Sequence, residues 1–353
     1  MYNLRHLYIF FLILALNLSF FSTTSVKAKA FLIDEIEISE KLENNFNKDL
    51  LINRGFEKAF KELMSKLIQS KYIDKTNNIS LNQIKSMIET FSIKEEKFIN
   101  KTYNLNLGVS FNKKKIFKYL ESKNIFPAQI MIEKFLFIPI IIDENINDLS
   151  IFSNNPIYQN WNSNIKTYEL IEYLLPSEDL EDLSLIKENL NSLETYDFKE
   201  IIKKYDLNNY IISLIFKNNN EIRVLSKIYN DRSEIIKNNS FQNLNLNNDQ
   251  DLRIFTNSLR NLYEDTWKRL NEINTSIKLS IVVKTENDNL NKSTRFELDL
   301  NDIELVNDYS IQKFNKKFIF YEILFNGTVQ NFINIMENKN YNLNTQKKIW
   351  ILE

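Results

Sequence analysis

Apolar residues along this chain recur with two different periods, and each period predicts one kind of secondary structure. Between residues 51 and 68 they recur every three or four positions, which is typical of a helix that buries one face. On a later segment five apolar residues alternate with polar ones: Tyr103, Leu105, Leu107, Val109 and Phe111. That alternation predicts a half-buried strand. Residues 135–142 form a continuous apolar run that includes Pro139, which indicates a strand covered on both faces.

The same reasoning predicts further elements along the chain. A second helix carries Leu81, Ile84, Met87, Ile88 and Phe91 on one face, with Ser80 as its N-cap. Other helices are predicted over residues 113–122, 198–205, 249–272 and 329–336. Other strands are predicted over residues 31–39, 167–175, 210–216, 221–229, 277–283, 295–300, 317–325 and 348–352. The polar, Asn-rich residues 143–164 predict a long surface connection.

Together these elements predict an α+β protein. We expect two to three small α/β-sandwich-like units in series after an N-terminal signal peptide. The signal is placed at residues 1–30, and the N-terminal, middle and C-terminal α+β units at residues 31–130, 131–274 and 275–353. Each unit is long enough to bury a hydrophobic core of its own.

Residues 1–30 have the order of a secretory signal. Arg5 and His6 give a basic start, residues 7–21 are mostly apolar, and Ala28-Lys29-Ala30 forms a small-x-small cleavage site. We expect cleavage after Ala30, because the apolar run is shorter than the roughly twenty residues that a membrane-spanning helix needs. The alternative is an uncleaved N-terminal membrane anchor. Both outcomes export the rest of the chain, and cleavage makes it a periplasmic protein.

The composition excludes several classes of enzyme. The chain has no cysteine, and its one histidine, His6, lies in the predicted signal. The exported part therefore has no thiol nucleophile, no Ser-His-Asp relay and no ligands for the usual zinc, haem or iron–sulfur sites. The three glycines, Gly55, Gly108 and Gly327, are too far apart for a phosphate-binding loop. The net charge is −1, and loss of the signal's three basic residues makes it −4. We expect no cofactor, no nucleotide and no nucleic-acid partner.

Acidic residues are the remaining candidates for catalysis, and they are densest at Glu178, Asp179, Glu181 and Asp182. Such a group can supply an acid–base pair. Acids just before a helical segment are also typical of a solvated helix start, which is the interpretation we favour. Trp161, in the polar connection, is the best candidate for an exposed aromatic contact. Trp161, Glu178, Asp179 and Asp182 are thus predicted as possible surface contacts, and no catalytic, cofactor-binding or metal-binding residue is predicted.

Several short motifs occur along the chain in an order that is similar to that of a known protein family. They are Arg54 with Ala59 and Leu63, Val109-Ser110-Phe111-Asn112, Phe137-Ile138-Pro139, Asn155-Pro156 followed by Trp161, the Asn326-Gly327 turn, and the closing Trp350-Ile351-Leu352. In this order the chain resembles, over nearly all of its exported part, the exported bacterial proteins grouped as domain-of-unknown-function family 2066. The resemblance implies an envelope protein of small α+β units that bind partners. It brings no assigned activity and no functional residue.

Export together with the missing catalytic chemistry favours a non-enzymatic binding or scaffolding component of the bacterial cell envelope. Its expected partner is an envelope protein, a glycan or a lipid surface. The competing hypothesis is a carboxylate-dependent hydrolase acting on an envelope polymer, which requires two carboxylates about 5 to 10 Å apart in one cleft. A third hypothesis keeps residues 1–30 as a membrane anchor, with the folded part working near the inner membrane.

Overall fold

The chain folds into three β-sheets covered by helices. The structure is a computed structural model that describes residues 31–42, 46–219, 221–231, 233–287 and 290–352. The predicted signal, residues 1–30, lies outside the described residues. Helices and strands are interspersed along the chain, and the three sheets are built from successive segments. The predicted α+β class, with several units in series, is confirmed.

The elements are numbered in chain order. The strands are β1 (Leu32–Lys41), β2 (Ile88–Ile99), β3 (Thr102–Phe111), β4 (Glu133–Asp143), β5 (Asp148–Ser150), β6 (Ile171–Leu174), β7 (Tyr210–Asn218), β8 (Glu221–Asn230), β9 (Ser233–Gln242), β10 (Leu279–Glu286), β11 (Val306–Phe314), β12 (Phe318–Phe325), β13 (Leu343–Asn344) and β14 (Trp350–Leu352). The α-helices are α1 (Lys48–Leu67), α2 (Leu81–Met87), α3 (Lys113–Ser122), α4 (Pro156–Asn160), α5 (Leu180–Glu188), α6 (Lys199–Lys203), α7 (Asp249–Leu270), α8 (Leu290–Asp302) and α9 (Val329–Asn338). Short 3-10 helices cover Ser70–Thr76, Trp161–Asn164 and Leu190–Ser192.

The first sheet has the strand order β1-β3-β2, with both pairs antiparallel, and α1 packs across it. Gly55 of α1 lies where the helix comes closest to the sheet. A Cβ atom at Gly55 would lie 2.5 Å from the Cδ1 atoms of Ile38 and Leu107, so glycine permits this approach. Ser80 caps α2 as predicted and forms a reciprocal capping box with Gln83.

The middle sheet has helices on both faces. β4 pairs in parallel with β7 and β6, and β7, β8 and β9 follow as an antiparallel meander. Alternate residues of β4 enter two separate cores. Phe135 and Phe137 pack with residues of α7, whereas Leu136 and Ile138 pack with residues of α5 and α6. The prediction that residues 135–142 form a strand covered on both faces is confirmed.

Pro139 lies beside a gap in this sheet, because β6 pairs with residues 133–136 of β4 and β5 pairs with residues 141–143. The buried Asn155 fills the gap. Its Nδ2 donates to the carbonyl oxygens of Pro139 and Ser150, both at 3.1 Å, and its Oδ1 accepts from two backbone N–H groups of α4. The nitrogen of Pro139 points to the same side as its carbonyl. A proline is tolerated in β4 because no strand requires an N–H at this position.

The third sheet has the order β11-β12-β10-β14-β13, and its core is continuous with that of the first sheet. Phe60 and Phe111 of the first unit belong to the same buried cluster as Phe296, Phe325 and Phe332 of the third. The middle sheet lies between them in sequence but has cores of its own. The N-terminal and C-terminal sheets are therefore two halves of one packed body.

Lys113 joins these two halves through hydrogen bonds. Its Nζ donates to the carbonyl oxygens of Ile303 (3.0 Å) and Val306 (2.7 Å), just before and at the start of β11. A second junction lies where the chain enters and leaves the middle unit. There the Ile273 N–H donates to the Pro127 carbonyl at 2.7 Å. Both ends of the middle unit are thus held at one place on the body.

Two sequence predictions of element type are wrong. The helix expected to reach Phe91 ends at Met87, and Ile88 and Phe91 lie on β2 instead. The strand expected over residues 295–300 is part of α8. Its Phe296 and Leu300 are buried four residues apart, as one helix face requires, while Leu298 between them is 61% exposed.

The structure also adds elements that the sequence pattern did not predict. Strands β2, β9 and β11 were not expected as strands. The surface connection expected over residues 143–164 contains β5, α4 and a 3-10 helix. Each of the three missed long strands lies at the end of its sheet. An edge strand has fewer buried residues than a central one, which weakens its hydrophobic alternation.

Candidate interaction surface

The acidic residues near position 180 form a helix start, as the favoured interpretation predicts. Asp179 is the N-cap of α5, and its Oδ1 accepts from the backbone N–H groups of Glu181 (2.8 Å) and Asp182 (3.4 Å). Lys204, the C-cap residue of α6, donates to Asp179 Oδ2 at 2.9 Å and to Asp182 Oδ1 at 2.7 Å. These bonds raise the pKa of Lys204 and lower the pKa of Asp179. Glu178 is exposed on the turn before the helix.

Asp182 is a buried residue and cannot serve as the surface contact that was predicted. Only 1% of its surface is exposed, and the ion pair with Lys204 joins α5 to α6 on one face of the middle sheet. Because Lys204 binds this carboxylate at 2.7 Å, the pair suits a structural role that joins two helices better than a catalytic one. Of the four predicted surface contacts, Glu178 is exposed and Asp179 is partly buried.

Trp161 is also buried, with 1% of its surface exposed, so its prediction as an exposed aromatic is wrong. Its ring lies 4.0 Å from that of Phe137, measured between centroids. The guanidinium of Arg260 lies 5.1 Å from the Trp161 ring and 4.8 Å from that of Tyr173. Phe137, Pro139, Asn155 and Trp161 therefore meet in one packed region. The family-like motifs that contain them are explained by packing and by the gap beside β4.

Three buried charges on α7 were missed by sequence reasoning. Arg260, Glu264 and Lys268 are each at most 6% exposed and lie four residues apart. Arg260 pairs with Glu169 and donates to the carbonyl of Trp161 at 2.7 Å. Glu264 accepts from the backbone N–H groups of residues 170 and 171, at 2.9 and 3.0 Å. Lys268 donates to the carbonyl of Ser65 in α1 at 2.5 Å.

These charges hold α7 to two other segments of the chain. Burial raises the pKa of Glu264 to about 7, against the effect of its backbone donors, and burial lowers the pKa of Lys268. Each charged group has a partner fixed by the fold rather than an open path to solvent. The one sequence signal for them is their spacing of four, beside the buried Leu259, Tyr263 and Trp267.

A small cavity at the carboxyl ends of β4 and β7 contains two carboxylates. Asp143 and Asp148 are cross-strand partners there, and Lys217 donates to Asp143 Oδ2 at 3.1 Å. Burial opposes ionisation of Asp143, but bonds from Lys217 and Asn145 hold its pKa below the usual value. The cavity volume is about 130 Å³. Sites for small molecules usually measure about 300 to 1,000 Å³, and a polymer needs an open cleft.

β2 is the most exposed strand of the described residues. It is an end strand of the first sheet, and each of its residues after Ile88 is exposed. Phe91, Ile93 and Phe98 are 49%, 41% and 61% exposed. Their cross-strand partners on β3 are Val109, Leu107 and Tyr103. The three side chains thus lie on the helix-covered face of the sheet, where the Phe91 ring contacts that of Phe56 in α1, with centroids 5.1 Å apart, and Phe98 is the most exposed of the three.

β11 has the same character at the end of the third sheet. Ile311 and Phe314 are 49% and 75% exposed, and they lie opposite the buried Tyr321 and Ile319 of β12. Among the described strands, none pairs with the outer edge of β2 or of β11. The packed body formed by the first and third units therefore presents two open edges with aromatic side chains. We call these the β2 edge and the β11 edge.

No protein-family model and no curated protein sequence gives a match to the chain. In the part of the chain that the structure describes, no three Asp, Glu, His or Cys side chains are placed to hold a metal ion. None of the described helices has both the length and the apolar character needed to cross a membrane.

Proposed function

We propose that this chain is a non-enzymatic binding or scaffolding component of the bacterial cell envelope, and that it contacts other proteins through its open strand edges. The observation that carries the proposal is the pair of exposed edges, β2 and β11, each with large apolar side chains on the helix-covered face. Single exposed apolar residues are ordinary on protein surfaces. Apolar residues in register along an unpaired strand are a contact surface.

The type of partner follows from the chemistry of a strand edge. An edge presents a row of unpaired N–H and C=O groups, which an extended segment of another protein can bond while its side chains cover the apolar strip. Glycans and lipid headgroups lack this regular spacing of donors and acceptors. A protein partner is therefore the best fit of the three classes. The predicted export signal and the resemblance to exported proteins of family 2066 support a location in the envelope.

The hydrolase alternative has weaker support. Glu178 and Asp182 do not converge in a cleft, since Asp182 is buried against Lys204. Asp143 and Asp148 do converge, but their cavity is small and Lys217 is bonded to Asp143. A general acid needs a raised pKa, whereas the pKa of Asp143 is lowered. The geometry supports an ion pair at the end of two strands more than a catalytic pair.

The test is in-cell crosslinking of the protein and identification of its partners by mass spectrometry, with variants of the β11 edge. Phe314→Glu places a charge on the apolar strip, and we expect it to reduce recovery of a recurrent envelope protein at least tenfold. Leu180→Glu is the matched control, because Leu180 is 81% exposed on a helix rather than on a strand edge. Equal recovery with both variants would contradict the proposal. So would hydrolysis of an envelope polymer by the purified protein.

A further inference from the structure

We propose that the β2 edge binds a second copy of this chain, so that two three-stranded sheets become one antiparallel six-stranded sheet. The inference rests on the proposed function only in taking the β2 edge as a contact surface. It leaves the β11 edge free for another protein. What points to a second copy, rather than to an unrelated strand, is the order of side chains along β2.

The faces of β2 are fixed by its pairing with β3. Phe91, Ile93, Glu96 and Phe98 lie opposite residues on the helix-covered face, and Thr90, Ser92, Glu95, Lys97 and Ile99 lie on the polar face. A β-bulge between Ile93 and Glu95 adds Lys94 to the polar face. There its Nζ lies 3.4 Å from Asp34 Oδ2, and its Cε lies 3.0 Å from where a Cβ of Gly108 would be.

With these faces, β2 is complementary to itself about a two-fold axis between Lys94 and Glu95. The pairs across the axis are Lys94 with Glu95, Ile93 with Glu96, Ser92 with Lys97, Phe91 with Phe98, and Thr90 with Ile99. Both members of each pair lie on the same face of the sheet. Each pair also occurs twice, because a two-fold contact repeats every interaction. The centre then has two opposite-charge pairs and each end has an aromatic pair.

Neighbouring registers lack this match. Moving the strands by one residue in either direction puts Lys94 opposite Lys94, or Glu95 opposite Glu95, and brings opposite faces together. Moving them by two in one direction pairs Lys94 with Lys97 and Glu95 with Glu96. Like charges directly opposite one another are unfavourable. Moving them by two in the other direction pairs Ile93 with Lys94, which lie on opposite faces, and leaves no opposite-charge pair. The charged centre of β2 therefore favours one register.

Charges and a bulge on an edge strand usually prevent pairing with other chains. On β2 both features lie at the proposed two-fold axis, so both copies place them at the same point. The charges that repel in other registers attract in this one. A partner of unrelated sequence would have no reason to reproduce that symmetry. The pattern thus favours one defined dimer over open-ended association.

Engineered disulfides test the register directly, because the natural chain has no cysteine. Ser92→Cys together with Lys97→Cys places each thiol opposite the other type on the second copy. Within one chain the two positions are about 16 Å apart along the strand, well beyond disulfide reach. We expect the double variant to form a covalent dimer under mild oxidation. Each single variant should remain mostly uncrosslinked.

A charge exchange gives a second measurement that does not depend on oxidation. Lys94→Glu places a glutamate opposite Glu95 of the second copy at both symmetry-related contacts. We expect it to raise the dissociation constant of the dimer about tenfold, measured by light scattering or sedimentation. Adding Glu95→Lys restores opposite charges across the two-fold axis. It does not restore the ion pairs of Lys94 with Asp34 and of Glu95 with Lys97 within each chain, so we expect partial recovery of association. Circular dichroism confirms that each variant is folded.

Three outcomes would overturn the dimer. They are a natural chain that stays monomeric up to its solubility limit, single-cysteine variants that crosslink as well as the double variant, or a double charge variant that associates no better than Lys94→Glu alone. Crosslinking recovery at the β11 edge is measured separately. The proposed function can therefore survive if the dimer fails.

Discussion

The end strands β2 and β9 contain similar residues but differ in how they are covered. On β9, Phe241 lies on the helix-covered face and contacts Phe255 of α7, with ring centroids 4.9 Å apart. On β2, Phe98 occupies the equivalent face but is 61% exposed. α7 has 22 residues and is about 33 Å long, and it reaches the edge of the middle sheet. α1 packs mainly on β1 and β3. It contacts β2 at Phe91 and Glu96, and every β2 residue after Ile88 stays exposed.

The comparison shows that cover by a helix, rather than the sequence of the edge strand, decides whether the apolar side chains of an unpaired edge strand are exposed. α7 is held over its sheet by buried charges as well as by apolar packing. No such buried charge fixes α1 over β2 in the described residues; the ion pair of Lys48 with Glu96 there is exposed on both sides. An aromatic edge without cover is an aggregation hazard, which is why we interpret it as a binding surface.

The largest expected effect concerns α7, the helix that covers the edge strand β9. Arg260→Ala leaves Glu169 buried without its partner and removes the bond to the Trp161 carbonyl. Breaking a buried pair in this way costs about 3 to 5 kcal/mol, to be measured by urea unfolding. The control is Arg54→Ala, since Arg54 pairs with Glu40 on the surface. An exposed pair contributes at most about 1 kcal/mol. Equal losses in the two variants would show that the charges on α7 do not secure it.

The pH dependence of stability tests the buried charges in a second way. Burial raises the pKa of Glu264 to about 7, and burial raises that of Glu304 to about 7 as well. The folded state then holds protons that the unfolded state has released above about pH 4.5. Stability should therefore fall as the pH rises from about 5 to about 7.5, by about 2 to 3 kcal/mol for each group.

Glu264→Gln tests the assignment, because the amide cannot ionise and the pH dependence should become shallower. Glu96→Gln is the control, since hydrogen bonds from Lys48 and Tyr103 lower the pKa of Glu96 and place its titration below this range. Urea unfolding at both pH values gives the slope. If the natural chain gained stability over this interval, the buried carboxyl groups would not be the dominant titrating groups.

Elements whose own residues carry the full pattern were predictable from sequence. α3 has the predicted bounds, and β3, β4 and α7 agree within a few residues. Local spacing is misleading where two periods fit the same residues. Phe296, Leu298 and Leu300 alternate like a strand, yet α8 buries Phe296 and Leu300 and exposes Leu298. Ile84, Met87 and Phe91 have helical spacing, yet the chain leaves the helix after Met87.

The candidate site depends on contacts between distant segments and was largely unpredictable. Trp161 is buried because Asn155 caps α4 and fills the gap beside Pro139, a contact across 16 residues. The partner of Lys268 is 203 residues away. Exposure of β2 depends on the direction in which α1 crosses the sheet, and no local pattern of β2 reports that direction. The start of α5 at Asp179 was predictable because a cap is a local interaction.

The smallest expected effect is that of replacing a phenylalanine by alanine on an edge strand. The same change is made on β9 and on β2. Phe241→Ala removes a half-covered ring from its contact with Phe255, and we expect a loss of about 2 kcal/mol, less than for a fully buried ring. Phe98→Ala should change the unfolding free energy by less than about 0.5 kcal/mol, as for other surface positions. Both are measured by urea unfolding at low protein concentration, where association does not contribute.

Light scattering at high concentration should give the opposite order, with Phe98→Ala weakening self-association and Phe241→Ala leaving it unchanged. If Phe98→Ala destabilised the isolated chain as much as Phe241→Ala, the β2 edge would be part of the fold's own core and its role as a contact surface would have to be abandoned.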